Sequence, residues 1–371
     1  MGDYYVDGTI RSLSGTGSGT LADPWGRSDG TYQYAIDQIA AGPGQGSAGD
    51  SITNIAGSVN NSASGGIDLT VYGTPTNAKP LHLSGGDQRT EYDLEFMTFI
   101  ALGNAAPAVI VSNFDFINQN SSSYTTDATL NFGNYAAVYN CTMVGNSSST
   151  GKALATASQC AVHGCKFTNL NALAIGGGPV IDLGNYTRAK GNYFGFDKGF
   201  GQYGIYIRGM FSNNVVKVEN RISGTAVTSC LDGSQVFNNS FYGDGSITGL
   251  YAAGSAQYFA WVNNYVENFN LGYKTNSGAD AYLVAGNRGF NNTTPTSFVG
   301  DQWFVENNDY ALTQSGVVSP SSGDFTPNVE LINQGWHTIA QSQYPAPTIG
   351  AIAPTAGSGP SGGLYIPRIR G

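Results

Sequence analysis

Apolar and polar positions alternate over short stretches of this chain, and the alternation restarts at a near-constant interval. Val111-Ser112-Asn113-Phe114-Asp115-Phe116 sets the pattern: an apolar residue, any residue, Asn or Gly, then Asn, Cys or Phe, any residue, and an apolar residue. It returns at Val138–Met143, Val162–Phe167, Ala189–Phe194, Phe211–Val216, Val236–Phe241 and Trp261–Val266, with weaker copies at Val284–Gly289 and Val305–Tyr310. At the third position the copies fall at residues 113, 140, 164, 191, 213, 238, 263, 286 and 307, in steps of 21 to 27 residues. A period of that length marks a solenoid. The repeated segments are short, β-branched, aromatic and rich in Asn. They lack both a leucine consensus and a helical period, so each repeat predicts three short strands and three turns, one coil of a parallel β-helix.

Successive coils rise by one strand spacing, about 4.8 Å, and identical positions stack. The fourth position then forms a column of Asn192, Asn214, Asn239, Asn264, Asn287 and Asn308, preceded by Phe114, Cys141 and Cys165. Amides at this spacing can hydrogen-bond along the column, and Asn in that column would also supply the left-handed backbone of a tight turn. The sixth position, from Phe116 and Met143 to Phe241 and Val266, is expected to fill the interior.

The repeats divide the chain into an N-terminal strand and capping helix (1–53), a β-helix of about ten coils (54–318) and a C-terminal cap, linker and tail (319–371). The helix is expected over Thr31–Gly42, where Tyr32, Ala35, Ile36, Ile39 and Ala40 share one face, Asp29 stands near its start and Gly42 can end it. The last segment holds seven of the fourteen prolines. Its Ala346–Gly363 stretch reads as a linker, and its apolar, basic end as a docking peptide.

Composition narrows the classes. Charged residues make up 11% of the chain, against about 25% in ordinary soluble domains. The net charge is −9, with only 16 Lys and Arg. No basic stripe can form, which excludes nucleic acid as an expected partner. No apolar run approaches the ~18 residues needed to span a bilayer, and no secretory leader is visible at Met1–Val6. The four cysteines lack zinc-type spacing and are expected to be buried free thiols.

The opening resembles right-handed parallel β-helix proteins of the pectate-lyase-like superfamily. The residues that carry the likeness are Tyr4-Tyr5-Val6-Asp7-Gly8, Gly19–Trp25, Tyr32–Ile36 and Gly49-Asp50-Ser51-Ile52. With the Asn repeat, the resemblance covers roughly residues 3–315. It implies an all-β right-handed parallel β-helix and leaves function open, because that fold hosts lyases, hydrolases, epimerases, adhesins and phage spikes. Together with the Gly-Gly-Leu-Tyr-Ile-Pro ending, the chain also resembles bacteriophage virion proteins.

Catalytic signatures of the superfamily are missing. His163 lies in Val-His-Gly-Cys, Arg221-Ile222 is followed by Ser223, and no Asp-Pro-His occurs. Glu91, Asp93 and Glu95 alternate on one strand face, where they could bind calcium or act as acids, although a solvated face accounts for them. His82, His163 and His337 have no metal spacing. Asp115 and Lys166 fall in one outward column. No catalytic residue, metal or cofactor is therefore expected. The expected glycan-binding residues lie in Asn192–Phe211: Tyr193, Phe196, Asp197, Lys198, Tyr203, Tyr206 and Arg208. Aromatic faces with a few charged hydrogen-bonding groups suit sugar rings. Ile205 and Ile207 should face inward, and Tyr206 and Arg208 outward.

The reading that follows is a non-catalytic phage virion surface protein, a spike, fibre or head decoration that contacts host-surface glycan. It would be a homotrimer, joined to other virion proteins through its tail and assembled in the host cytoplasm without membrane insertion. The alternatives are a polysaccharide lyase or glycoside hydrolase on the same scaffold, and a bacterial surface adhesin.

Overall fold

The computed structural model describes residues 2–10, 14–27, 31–41, 50–60, 81–87, 90–93, 109–117, 130–144, 152–172, 178–200, 202–218, 225–254, 256–299, 302–322, 324–328 and 331. The chain is an all-β parallel β-solenoid. It divides into two compact units, 1–209 with 222–224, and 210–221 with 225–371.

In unit 1 the chain passes in turn through three parallel sheets. The first contains Asp3–Val6, Ser51–Asn54, Leu81–Ser84, Val109–Ser112, Ala137–Tyr139, Ala161–His163 and Arg188–Lys190. The second contains Val59–Asn60, Thr90–Asp93, Phe114–Ile117, Thr142–Val144, Lys166–Ala172 and Tyr193–Phe200. The third contains Leu130–Phe132, Leu154–Thr156, Ile181–Leu183 and Tyr203–Ile207. Val109–Ser112 and Phe114–Ile117 alternate buried and half-buried residues, as a sheet with one face on a core requires. Phe116, Met143, Phe167 and Phe194 are buried in that core, and the rings of Phe167 and Phe194 stack at 5.2 Å. The helix Thr31–Ala41 buries Tyr32, Ala35, Ile36 and Ile39, and the Tyr32 hydroxyl donates to the Ser84 carbonyl at 2.6 Å. Asp29 and Gly42 lie outside the described residues.

Unit 2 repeats the plan. Its first sheet contains Met210–Ser212, Gln235–Phe237, Gln257–Val262, Asp280–Ala285 and Gln302–Glu306; its second, Val215–Val218, Ser240–Tyr242, Tyr265–Glu267 and Arg288–Phe290; its third, Ala226–Cys230, Thr248–Ala252, Leu271–Thr275 and Thr294–Ser297. An antiparallel pair, Val317–Ser319 with Asp324–Pro327, follows. Its approach is tied down by a buried cluster. The Tyr265 hydroxyl donates to Glu267 Oε2 at 2.5 Å, Ser315 Oγ to the same oxygen at 2.9 Å, and the Gly316 N–H to the Tyr265 oxygen at 2.7 Å. Burial raises the Glu267 carboxyl above its ordinary pKa.

Across both units the strands make about seven turns, where nine motif copies had suggested about ten. A motif copy marks one corner, whereas a turn needs three strands. Ser51–Asn54 with Val59–Asn60, Leu81–Ser84 with Thr90–Asp93, and Gln302–Glu306 have no third-sheet strand after them among the described residues.

The motif is the corner between the first and second sheets. All nine third-position residues, six Asn and three Gly, have φ between 49° and 68°. One left-handed residue bends the chain out of one strand and into the next, and Asn and Gly adopt that conformation most readily. The left-handed residue is thus the third position and not the fourth, as the stacking argument had assigned it. The corner N–H is not wasted: Asn140 donates to the His163 carbonyl at 3.0 Å and Asn263 to the Ala285 carbonyl at 2.9 Å, each one coil on.

The fourth position is left to point inward. Asn214, Asn239, Asn264 and Asn287 are fully buried in unit 2. Asn214 Nδ2 donates to Asn239 Oδ1 at 3.1 Å, Asn239 to Asn264 at 3.0 Å, Asn264 to Asn287 at 3.1 Å and Asn287 to Asn308 at 3.1 Å. Each acceptor oxygen also takes the backbone N–H of the preceding Asn, at 2.8 to 3.1 Å. The remaining amide hydrogen reaches a carbonyl of an earlier coil, as from Asn264 to Val236 at 2.8 Å. In unit 1, Asn192 makes the same two kinds of bond, accepting from the Cys165 N–H at 2.9 Å and donating to the Val162 carbonyl at 2.8 Å. Phe114, Cys141 and Cys165 fill the earlier rungs. All four cysteines are buried free thiols.

Candidate functional site

The third sheet of unit 1 turns alternate side chains outward. Ile205 and Ile207 are buried, whereas Tyr206 and Arg208 are half-buried on the outer side. Parallel pairing sets Asp182 beside Tyr206, and Ala155 beside Asp182. Asp182 has buried neighbours, Ile181 and Leu183, so its carboxylate also faces out. Its two oxygens are held by different cations. Arg208 Nη1 donates to Oδ1, and Lys152 Nζ donates to Oδ2 at 2.7 Å. The Arg208 guanidinium lies 5.3 Å from the centre of the Tyr206 ring, and the Tyr203 ring meets Tyr206 at 5.1 Å with a 46° tilt. Lys152, Asp182, Arg208, Tyr206 and Tyr203 therefore form a fixed chain of contacts across one face.

The electrostatics favour binding groups over a base. Burial, then Tyr203 and Asp182, raise the Tyr206 pKa, with Arg208 opposing them. Tyr206 is a neutral phenol at ordinary pH, able to donate a hydrogen bond and to offer a ring face. Asp182 is occupied by two cations and stands ready to orient them.

Of the seven residues expected from the sequence, three come together: Tyr203, Tyr206 and Arg208. Phe196 is fully buried and opposite Leu170, so it serves the core and not a ligand. Its strand Tyr193–Phe200 shifts register against Lys166–Ala172, which upsets a simple count of inward and outward positions. Tyr193 belongs to the second sheet, with Lys166 Nζ 5.9 Å from its ring centre. Asp197 is half-buried on the same strand, and the Lys198 side chain lies outside the described residues. Lys152 and Asp182 were missed by the sequence reading. Asp182 could have been found, since it stands one repeat step before Tyr206.

Other sequence candidates are dispersed. Glu91 and Asp93 lie on Thr90–Asp93, with their side chains outside the described residues, as are Glu95 and His337. Asp115 and Lys166 do share an outward row, with Thr142 between them, and Thr142 Oγ1 donates to Asp115 Oδ1 at 2.5 Å. His82 Nε2 lies 2.8 Å from Ser112 Oγ, and burial lowers its pKa. His163 meets Tyr139 edge-on at 5.5 Å; its pKa is lowered by burial and then by Lys190 and Arg188. Among the described residues no three His, Cys, Asp or Glu side chains gather to hold a metal.

No protein-family model matches this sequence, and no curated protein matches it. Among solved structures, a PL6 family polysaccharide lyase from Pseudopedobacter saltans is 14% identical, with 76% of this chain and 78% of that chain covered and a TM-score of 0.45. A rhamnogalacturonan lyase is 13% identical, covering 77% and 87%, with a TM-score of 0.40. A GH136 lacto-N-biosidase from Eubacterium ramulus is 9% identical, covering 85% and 67%, with a TM-score of 0.31. No residue of this chain takes its role from these three.

Proposed function

We propose that the protein holds a polysaccharide against the outward face of the third sheet of unit 1. The observation that carries this is the Tyr203–Tyr206 ring pair, with Arg208 set over Tyr206 and anchored through Asp182 to Lys152. Rings of this kind take the apolar faces of sugars, and the fixed cations take hydroxyl or carboxylate oxygens. Because Asp182 already fixes the guanidinium, little side-chain freedom is lost on binding. Attachment without cleavage fits this cluster best: hydrolysis needs two working carboxylates, and the one carboxylate here is neutralised by ion pairs. The proposal includes display of the solenoid on a virion surface as a trimer, where several shallow sites add avidity.

The second reading, cleavage as a polysaccharide lyase or glycoside hydrolase, is favoured by one feature. Lys152 and Arg208 flank a single carboxylate and could neutralise a uronate, which is what β-elimination requires before a proton leaves the adjacent carbon.

Affinity electrophoresis against a panel of neutral and acidic polysaccharides tests the proposal. Binding should fall about tenfold with Tyr206→Ala and with Arg208→Ala, roughly 1.4 kcal/mol each. No retardation by any polysaccharide sinks it. New reducing ends or unsaturated products that vanish with Lys152→Ala would establish the second reading instead. Light scattering and immunogold labelling of particles test the trimer and its setting.

A further inference from the structure

We infer that unit 2 carries a recognition site of its own, a cleft for one neutral hexose unit built by Tyr242, Asp244 and Asn268 beside the short turn Pro320–Ser322. It rests on observations independent of the unit 1 face. In the second sheet, Lys217, Tyr242 and Glu267 stand side by side on successive coils. Past these strands the chain leaves the sheet at Gly243-Asp244 and at Asn268. The turn Pro320–Ser322 is tied to the strand Val215–Val218, since Lys217 Nζ donates to the Ser321 carbonyl at 3.0 Å. Between these elements lies a cleft of about 450 Å³. That is near the lower end of small-ligand sites, which run from about 300 to 1,000 Å³.

The polar groups around it are set in place before any ligand arrives. Asp244 Oδ1 accepts the Ser246 N–H at 2.9 Å and its hydroxyl at 2.5 Å, which fixes the plane of the carboxylate. Asn268 has left-handed backbone and donates from Nδ2 to the Gly243 carbonyl at 2.8 Å, while its Oδ1 accepts from Asn291 at 3.1 Å. Gly243 must stay bare, because a Cβ there would come within 2.5 Å of the Asn268 carbonyl. The Tyr242 ring meets Phe325 edge-on at 6.4 Å, so its orientation is fixed too. Burial and the Glu267 carboxylate raise the Tyr242 pKa, which keeps the phenol protonated as a donor.

An aromatic ring with a carboxylate acceptor and a preset amide matches the alternating C–H and hydroxyl surfaces of a pyranose. The balance of charge suits a neutral one. Lys217 and Asp244 line the cleft with one charge of each sign, so its wall gives no net attraction to a sugar carboxylate.

Saturation-transfer NMR on the full chain, with methyl glucoside, galactoside and mannoside and with galacturonate as the charged comparison, tests this. One neutral glycoside should show transfer with an affinity of about millimolar, and galacturonate should bind more weakly. Asp244→Asn keeps the acceptor oxygen that holds Ser246 and removes the charge. Ser321→Trp, from an exposed position, fills the cleft from outside. Each should weaken binding about tenfold while thermal unfolding stays at the midpoint of its parent, with all measurements made in a Tyr206→Ala background so that the unit 1 face adds no transfer. The inference is overturned by no transfer from any neutral glycoside in that background, by transfer that survives both unit 2 variants there, or by tighter binding of galacturonate.

Discussion

Units 1 and 2 build the same corner and then fill the position behind it differently. In unit 2 that position is Asn on every coil from Asn214 to Asn308, and each amide from Asn239 onward answers a backbone N–H, a neighbouring amide and a distant carbonyl. In unit 1 it is Phe114, then Cys141, then Cys165, and only Asn192 bonds in the unit 2 manner. The thiols sit close to carbonyls, with Cys165 Sγ 3.4 Å from the His163 oxygen, but a thiol donates weakly. Unit 1 therefore relies on packing where unit 2 relies on a fully satisfied polar network. Such a network should be more specific and also less forgiving, because loss of one member strands several partners.

The largest expected effect follows from that. Asn264→Ala strands one hydrogen of the Asn239 amide and the Asn239 N–H, takes a donor from the Val236 carbonyl, and should cost about 3 kcal/mol in chemical unfolding. Asn239→Ala should cost about 1–3 kcal/mol on the same argument. The double variant should cost less than the sum, since the two share a bond. Strict additivity would mean the rungs act singly.

The corner itself comes next. Asn238 has φ of 53°, and its Oδ1 is buried without a hydrogen-bond partner, so it is there for its backbone. Asn238→Ala should cost about 1–2 kcal/mol, whereas Asn238→Gly should be near neutral. Equal losses would show that the side chain matters more than φ. In unit 1, Cys165→Ala should cost about 1 kcal/mol, from lost packing alone. A loss as large as that of Asn264→Ala would erase the distinction between the units.

The smallest expected effect is a difference in pH response. The folded-state pKa of Glu267 is raised, so its contribution is full below its ordinary value of 4.5 and is lost as pH rises through the folded value. His82 and His163 in unit 1 are lowered from 6.5, so theirs is present above that value and lost as pH falls through the folded one. Glu267→Gln should flatten the first slope, and a His82→Gln, His163→Gln pair the second, in unfolding midpoints measured from pH 4 to pH 8. An unchanged profile in either variant would remove that group from the account.

The corner and the interior could be read from the residues, because both obey rules with a short period. An Asn or Gly every 21 to 27 positions fixes where the chain bends, and alternation from there fixes which side chains go in. What escaped was the division of labour between Asn213 and Asn214, since both tolerate a left-handed backbone and only three dimensions show which one takes it. Tyr206 and Arg208 were legible by the same alternation. Phe196 was not, because a register shift in its strand breaks the count. Lys152 was hidden for a related reason: its partner is 30 residues away, more than any repeat step.

The spacing between rungs has a consequence for redesign. Linked amides stand 25, 25, 23 and 21 residues apart along the chain, yet make bonds of nearly equal length. Phase is therefore reset at every corner, and a coil that gains or loses residues elsewhere passes no error to the next. A foreign peptide spliced into a coil of unit 2 away from its corner should be displayed at a fixed axial height, with several different inserts carried on successive coils.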